Sequence, residues 1–243
     1  MFRSRDLKEF YNTECLKEEE EILRKPQILK KSEFKKISND YSIQEKGECF
    51  NNDSTFNKDT TKLVIVGTIT PPHAEYFYCS FYNRIYGYID YVLRCLNRNG
   101  ERTLKELKRG LQEIHNKKVD INSLSKSEIK NRVEEIKNIL KKNNIAFLDV
   151  MGNVIRKPDS PYDKDIKFCT LATDDFKEVL SCPEVKIIVN SKLAKEYAKK
   201  IGLKNTLLLS QRFNKKEEWI REIISAIKSN TKFIFDDIKR NKS

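Results

Sequence analysis

Four short apolar runs separated by helical stretches constrain this chain more than any other feature. Leu63, Val64, Ile65 and Val66 follow one another without alternation, which suits a strand buried on both faces of a parallel sheet. Gly67 ends the run. Similar blocks recur downstream, so strands are predicted at 63–69, 145–150, 185–190 and 206–210. Helical periodicity fills the intervals: Ile85, Ile89, Val92, Leu93 and Leu96 share a face over 83–96, and Ile129, Val133, Ile136, Ile139 and Leu140 do so over 127–142. Further helices are predicted at 104–114, 173–180, 191–201 and 215–228. Strands that alternate with helical crossovers imply an α/β protein, a three-layer α/β/α sandwich around a four-stranded parallel sheet. Ser191, Thr173 and Ser127 each stand where a hydroxyl can accept from the first turn of a helix. No repeat is visible at any solenoid period.

Residues 1–60 differ from the rest. They are dense in Lys, Glu, Asn and Ser, with one charged helix expected over 6–25, stopped at Pro26, and a polar loop over 38–61. The expected organisation is therefore a helical or irregular N-terminal extension, 1–60, before an α/β domain, 61–243. The extension can pack on the domain edge as a solvated helix, or recruit a protein partner.

The net charge of +12 favours an anionic partner, nucleic acid first and acidic membrane surfaces second. Lysines are scattered over the whole chain, which fits a compositional bias equally well. Six cysteines, at positions 15, 49, 79, 95, 169 and 182, show no close pairing, so neither a zinc site nor a disulfide framework is indicated. No metal or other cofactor is expected. The chain opens with no apolar run after Met1 and holds no stretch of about 18 apolar residues, so neither a secretion signal nor a membrane span is expected. A cytoplasmic monomer is the expectation.

The turn Thr68-Ile69-Thr70-Pro71-Pro72-His73 lies beyond the carboxyl end of the first strand, where open α/β sheets bind ligands. Its amides and hydroxyls, and the His73 imidazole, are candidates for holding water and moving a proton. The aromatic residues that follow, Tyr76, Phe77 and Tyr78, can stack on a base or pack the next helix. Asn83 and Arg84 can fix that helix start or reach a phosphate. Asp149 puts a carboxylate at the end of an apolar strand, where it can face a ligand or pair with an arginine such as Arg156. Asn190, Ser191 and Lys192 open a helix at the same sheet edge, either as caps or as an anion contact.

The order of these elements resembles the uracil-DNA glycosylase superfamily, in particular its small-base and deoxyinosine-type branch. Gly67-Thr68, Pro71-Pro72, Phe77-Tyr78 and Asn83-Arg84-Ile85-Tyr86 correspond to the first motif and helix start. Ile145 to Val150 resembles the second strand with its base-facing residue, followed by an Arg and Ser/Asp loop at 156–166 that includes Asp163 and Asp165. The stretch 185–190 with Ser191, Lys192 and Ala194 is similar to the third strand and its Asn-Gly-Lys-x-Ala helix start, with Ser191 in place of Gly. The resemblance covers about residues 60–228 and implies a strand order of 2-1-3-4.

It also implies a metal-independent DNA glycosylase that hydrolyses the N-glycosidic bond of an extruded deaminated base, uracil or hypoxanthine, in base-excision repair. His73, Asp149 and Thr70 take the catalytic roles in that reading. Gly67, Thr68, Ile69, Pro71, Phe77, Tyr78, Asn83, Asn190 and Ser191 would bind the substrate. Arg84, Lys192, Ser210, Gln211, Arg212 and Phe213 would contact single- or double-stranded DNA. Two departures matter. Ile69 stands where several branches place a water-activating Asp or Asn, and the 209–214 loop has lost the usual proline and histidine. A catalytically inactive nucleic-acid or nucleotide sensor on the same fold is therefore the alternative.

Overall fold

The computed structural model describes residues 25–34, 42–45, 54–70, 84–96, 102–116, 123–157, 162–210 and 213–227. Along the chain lie β1 (Gln27–Ile28), α1 (Lys31–Phe34), β2 (Ser42–Glu45), β3 (Leu63–Gly67), α2 (Ile85–Cys95), α3 (Leu104–Asn116) and α4 (Ser123–Lys142). There follow β4 (Ile145–Asp149), β5 (Met151–Arg156), β6 (Ile166–Leu171), α5 (Lys177–Leu180), β7 (Lys186–Val189), α6 (Lys192–Ile201), β8 (Thr206–Leu208) and α7 (Lys216–Ile227).

The protein is an α/β/α sandwich around a four-stranded, all-parallel sheet, β4-β3-β7-β8. That is the order 2-1-3-4 implied by the resemblance. β3 sits in the middle because every residue of its run is buried, whichever face it points to. Its alternation divides the core: Leu63 and Ile65 join one apolar cluster with α2, α3, α4 and α7, whereas Val64 and Val66 join another with α5 and α6. Phe147 of β4 stacks on Tyr86 of α2 with ring centroids 5.2 Å apart and planes 4° from parallel. Such a pair contributes about 0.5–1.5 kcal/mol beyond the area it buries.

A second sheet, β1-β6-β5-β2, stands beside the expected one. Its centre is the antiparallel pair β5·β6, with the ladder shifted between Met151 and Val154 and again between Ile155 and Arg156. Ser42–Glu45, within the segment expected to be loop, pairs antiparallel with β5. β1 pairs parallel with β6, and the Tyr197 hydroxyl donates to the Pro26 carbonyl. Residues far upstream of the parallel sheet are thus built into the layer beside α6. The helix expected over 6–25 lies almost wholly outside the described residues.

Capping corrects two local expectations. Ser191 does cap α6, its Oγ accepting from Ala194 N at 3.0 Å. Thr173 instead lies inside a 3-10 turn, and Ser127 sits four residues inside α4, because that helix begins earlier than its apolar periodicity does. Thr103 and Glu106 form a reciprocal box ahead of α3, with Thr103 N donating to Glu106 Oε2 at 2.8 Å and Glu106 N to Thr103 Oγ1 at 3.2 Å. α6 ends at Gly202 with φ of 106°. Gly202→Ala is expected to destabilise the fold by about 1–2 kcal/mol, the strain of a Cβ in left-handed backbone, with the denaturant midpoint as the readout.

Candidate functional site

At Asp149 the chain leaves the parallel sheet without breaking contact with β3. Val150 N donates to Gly67 O and Met151 N to Thr68 O, each at 3.0 Å. Asp163, in the 3-10 turn that precedes β6, meets Thr68 just beyond the carboxyl end of β3. Four separated pieces of sequence thus come to one place: the turn after β3, the end of β4, the 3-10 turn before β6 and the start of α6.

Asp149 is 1% exposed, and a buried carboxylate needs partners. Its Oδ2 accepts from Thr70 N at 2.7 Å and from Thr70 Oγ1 at 2.8 Å. The acid of β4 therefore holds the turn that follows β3. Thr68, also buried, donates through Oγ1 to Asp163 Oδ2 at 2.7 Å, and the same oxygen lies 3.2 Å from Ser191 Oγ. Arg156, 1% exposed at the end of β5, supplies a buried positive charge.

Burial pushes the Asp163 carboxyl above the ordinary carboxylate range; the Thr68 hydrogen bond and the Arg156 guanidinium oppose that shift, and the Asp149 charge adds to it. Asp163 lies in a surface 3-10 turn with its carboxyl turned inward. Folding therefore favours its protonated form. The associated stability is present at acid pH and declines as pH rises from the ordinary carboxylate range towards the raised value.

Of the residues singled out from sequence, Thr68, Thr70, Asp149 and Ser191 come together. Gly67 closes β3 beside them, and Asn190, nearly buried, donates its backbone N–H to Val66 O at 3.0 Å. Ile69 packs its side chain into the apolar cluster around β5, β6 and α6. Arg84 is exposed at the head of α2, close enough to oppose the upward shift that burial causes in the Tyr88 hydroxyl. Lys192 is exposed in the first turn of α6. The Ser210 carbonyl accepts from Trp219 Nε1 at 2.9 Å, which ties that segment to α7 rather than to the cluster. Phe213 belongs to a 3-10 turn. Pro71, His73, Phe77, Tyr78, Asn83, Gln211 and Arg212 lie outside the described residues.

From sequence, Arg156 is a candidate partner of Asp149 and Asp163 part of a loop similar to the family's Arg and Ser/Asp segment, but neither is assigned a catalytic or binding role. Asp163 stands in a Pro-Asp-Ser-Pro-Tyr-Asp-Lys-Asp run, where nothing local distinguishes it from its two neighbouring acids. Arg156 follows Val154-Ile155 and is followed directly by Lys157, so nothing local marks it as the buried cation of the pair. Among the described residues no group of three or more His, Cys, Asp or Glu side chains gathers as a metal site. Cys169 is buried and its thiol is pushed up to about 12, far from a reactive thiolate. No helix among the described residues is long and apolar enough to cross a membrane.

No protein-family model matches the chain, and no curated protein matches it. A solution NMR structure from Methanosarcina acetivorans, described provisionally as a uracil DNA glycosylase, superposes with a TM-score of 0.42 at 16% identity, covering 76% of this chain and 99% of the other. Similarity this low assigns no family.

Proposed function

We propose that the protein is an N-glycosyl hydrolase that binds an extruded deaminated base of DNA, uracil or hypoxanthine, and hydrolyses its glycosidic bond. The observation that carries this reading is the convergence of Thr68, Thr70, Asp149, Arg156, Asp163 and Ser191 at the carboxyl edge of the parallel sheet. A base taken from the stack needs such a place, with fixed polar groups inside apolar walls. The ordered motifs from Gly67 to Lys192 support it independently. In this reading Asp149 holds the Thr68–Thr70 turn in shape, the turn positions water near the sugar, and His73 and the aromatic pair Phe77 and Tyr78 meet the base. Lys192, Arg84 and the lysine-rich surface hold the phosphates.

The test is incubation of the pure protein, without added metal, with labelled oligonucleotides containing uracil, hypoxanthine or xanthine, followed by alkaline cleavage of abasic sites. Release of one base names the substrate. His73→Ala and Asp149→Ala are each expected to lower single-turnover release about 100-fold or more. Unchanged release in both variants refutes these roles.

A second reading, a sensor that binds without turnover, is favoured by one specific observation. Ile69 occupies the position of the water-activating residue and is packed in the core rather than facing the cluster. Binding with no release of any base identifies the sensor. In either case the logarithm of the affinity for DNA is expected to fall linearly with the logarithm of salt concentration, with a slope of about 0.7–0.9 per phosphate neutralised. Affinity independent of salt counts against DNA as the partner.

A further inference from the structure

Resting on the hydrolase reading, we propose that Asp163, Thr68 and Ser191 form a hydroxyl-linked proton path, and that Asp163 stores the proton which the departing base receives at Ser191. The geometry is continuous. Asp163 Oδ2 and Thr68 Oγ1 are 2.7 Å apart, and Thr68 Oγ1 and Ser191 Oγ are 3.2 Å apart. Thr68 is 2% exposed and lies between the two ends, whereas Ser191 is half-buried at the mouth of the sheet edge. The Ser191 oxygen is held in place because it also accepts from Ala194 N at 3.0 Å.

Each hydroxyl has one proton to give, so the path has two senses. With Asp163 ionised, Ser191 donates to Thr68 and Thr68 donates to Asp163; Ser191 then offers the ligand only a lone pair. With Asp163 protonated, the acid donates to Thr68, Thr68 donates to Ser191, and the Ser191 O–H points outward. The second sense is the one that can protonate a leaving group. As the bond between the sugar carbon and the base nitrogen breaks, its electron pair leaves with the base. The Ser191 proton passes to that nitrogen, the Thr68 proton to Ser191 and the Asp163 proton to Thr68. Water adds its oxygen to the sugar carbon, and the proton it loses goes to solvent, from which Asp163 is recharged.

The charged groups around Asp163 set its two states. Arg156 at the end of β5 favours the ionised form, while burial and Asp149 at the end of β4 favour the protonated one. Lys164 and Asp165 flank it in its own turn, and Lys192 lies beyond Ser191 on α6. A cation and an anion thus act on the acid in opposite senses, which suits a group that must both keep and give up a proton.

Asp163→Asn keeps the size of the side chain and an acceptor for Thr68, but carries no acid proton; Thr68→Val keeps the volume and cuts the path. Both variants are expected to lower single-turnover base release about 100-fold, and Asp163→Asn is expected to remove the alkaline limb of the pH–rate profile. Release by the wild-type chain that is unaffected by Asp163→Asn overturns the path and leaves the hydrolase reading standing. If the wild-type chain releases no base, the hydrolase reading fails instead, and the path is judged by carbon-13 NMR of the aspartate carboxyls. An Asp163 titration raised above the ordinary range, and displaced by both Thr68→Val and Ser191→Ala, supports a connected path. A titration that is ordinary, or indifferent to Ser191→Ala, overturns it.

Discussion

Asp149→Ala is expected to lower the free energy of unfolding by about 2–4 kcal/mol, because it strands two buried donors at once. Thr70 N and Thr70 Oγ1 both give their hydrogens to Asp149 Oδ2, at 2.7 and 2.8 Å, and Thr70 is wholly buried. The hydroxyl can rotate towards another acceptor, but the amide is fixed by the turn and cannot. Asp149→Asn retains an acceptor for the amide, so its expected cost is smaller, about 1 kcal/mol. The comparison is made by urea unfolding of the two variants and of Thr70→Val alone and combined with Asp149→Ala. In the double-mutant cycle the two losses should fall well short of adding, since they share one interaction. Full additivity would mean that the carboxylate does not hold the turn.

Trp219→Ala carries the other large effect, an expected loss of about 3–5 kcal/mol from emptying a site that the fully buried indole fills. The indole packs among residues of α2 and α7, with its ring 6.3 Å from that of Tyr88. Its N–H also holds the Ser210 carbonyl, two residues beyond the end of β8. Trp219→Phe keeps most of the apolar contact and abandons that bond, so a loss of about 1–2 kcal/mol is expected. Circular dichroism during denaturation measures both, because the chain has one tryptophan and the variants lack its fluorescence. A Trp219→Ala variant within about 1 kcal/mol of the parent would show that α7 is not anchored through this residue.

The parallel sheet was legible because its strands are nearly continuous apolar runs, and burial on both faces of a central strand leaves little room for polar residues. The first strand is Leu63–Gly67 rather than 63–69, because just beyond it the chain turns and Thr70 gives its backbone amide to the Asp149 carboxylate instead of to a neighbouring strand. The second sheet was harder to see. Met151–Arg156 bears a shifted ladder that disrupts alternation, and Ser42–Glu45 has too little apolar character to distinguish it from loop.

The layer architecture, the sheet edge at which polar groups would meet, and Ser191 as a helix cap can be read from the residues alone. These depend on period, burial and the backbone chemistry of neighbouring residues. Which groups touch is fixed by the three-dimensional packing. Asp163 reaches Thr68 across 95 residues and Thr70 reaches Asp149 across 79, the first contact set by where the 3-10 turn before β6 lies and the second by the parallel pairing of β3 with β4. No local pattern records either contact, because the partners of a buried charge are chosen by the three-dimensional course of chain segments far apart in sequence.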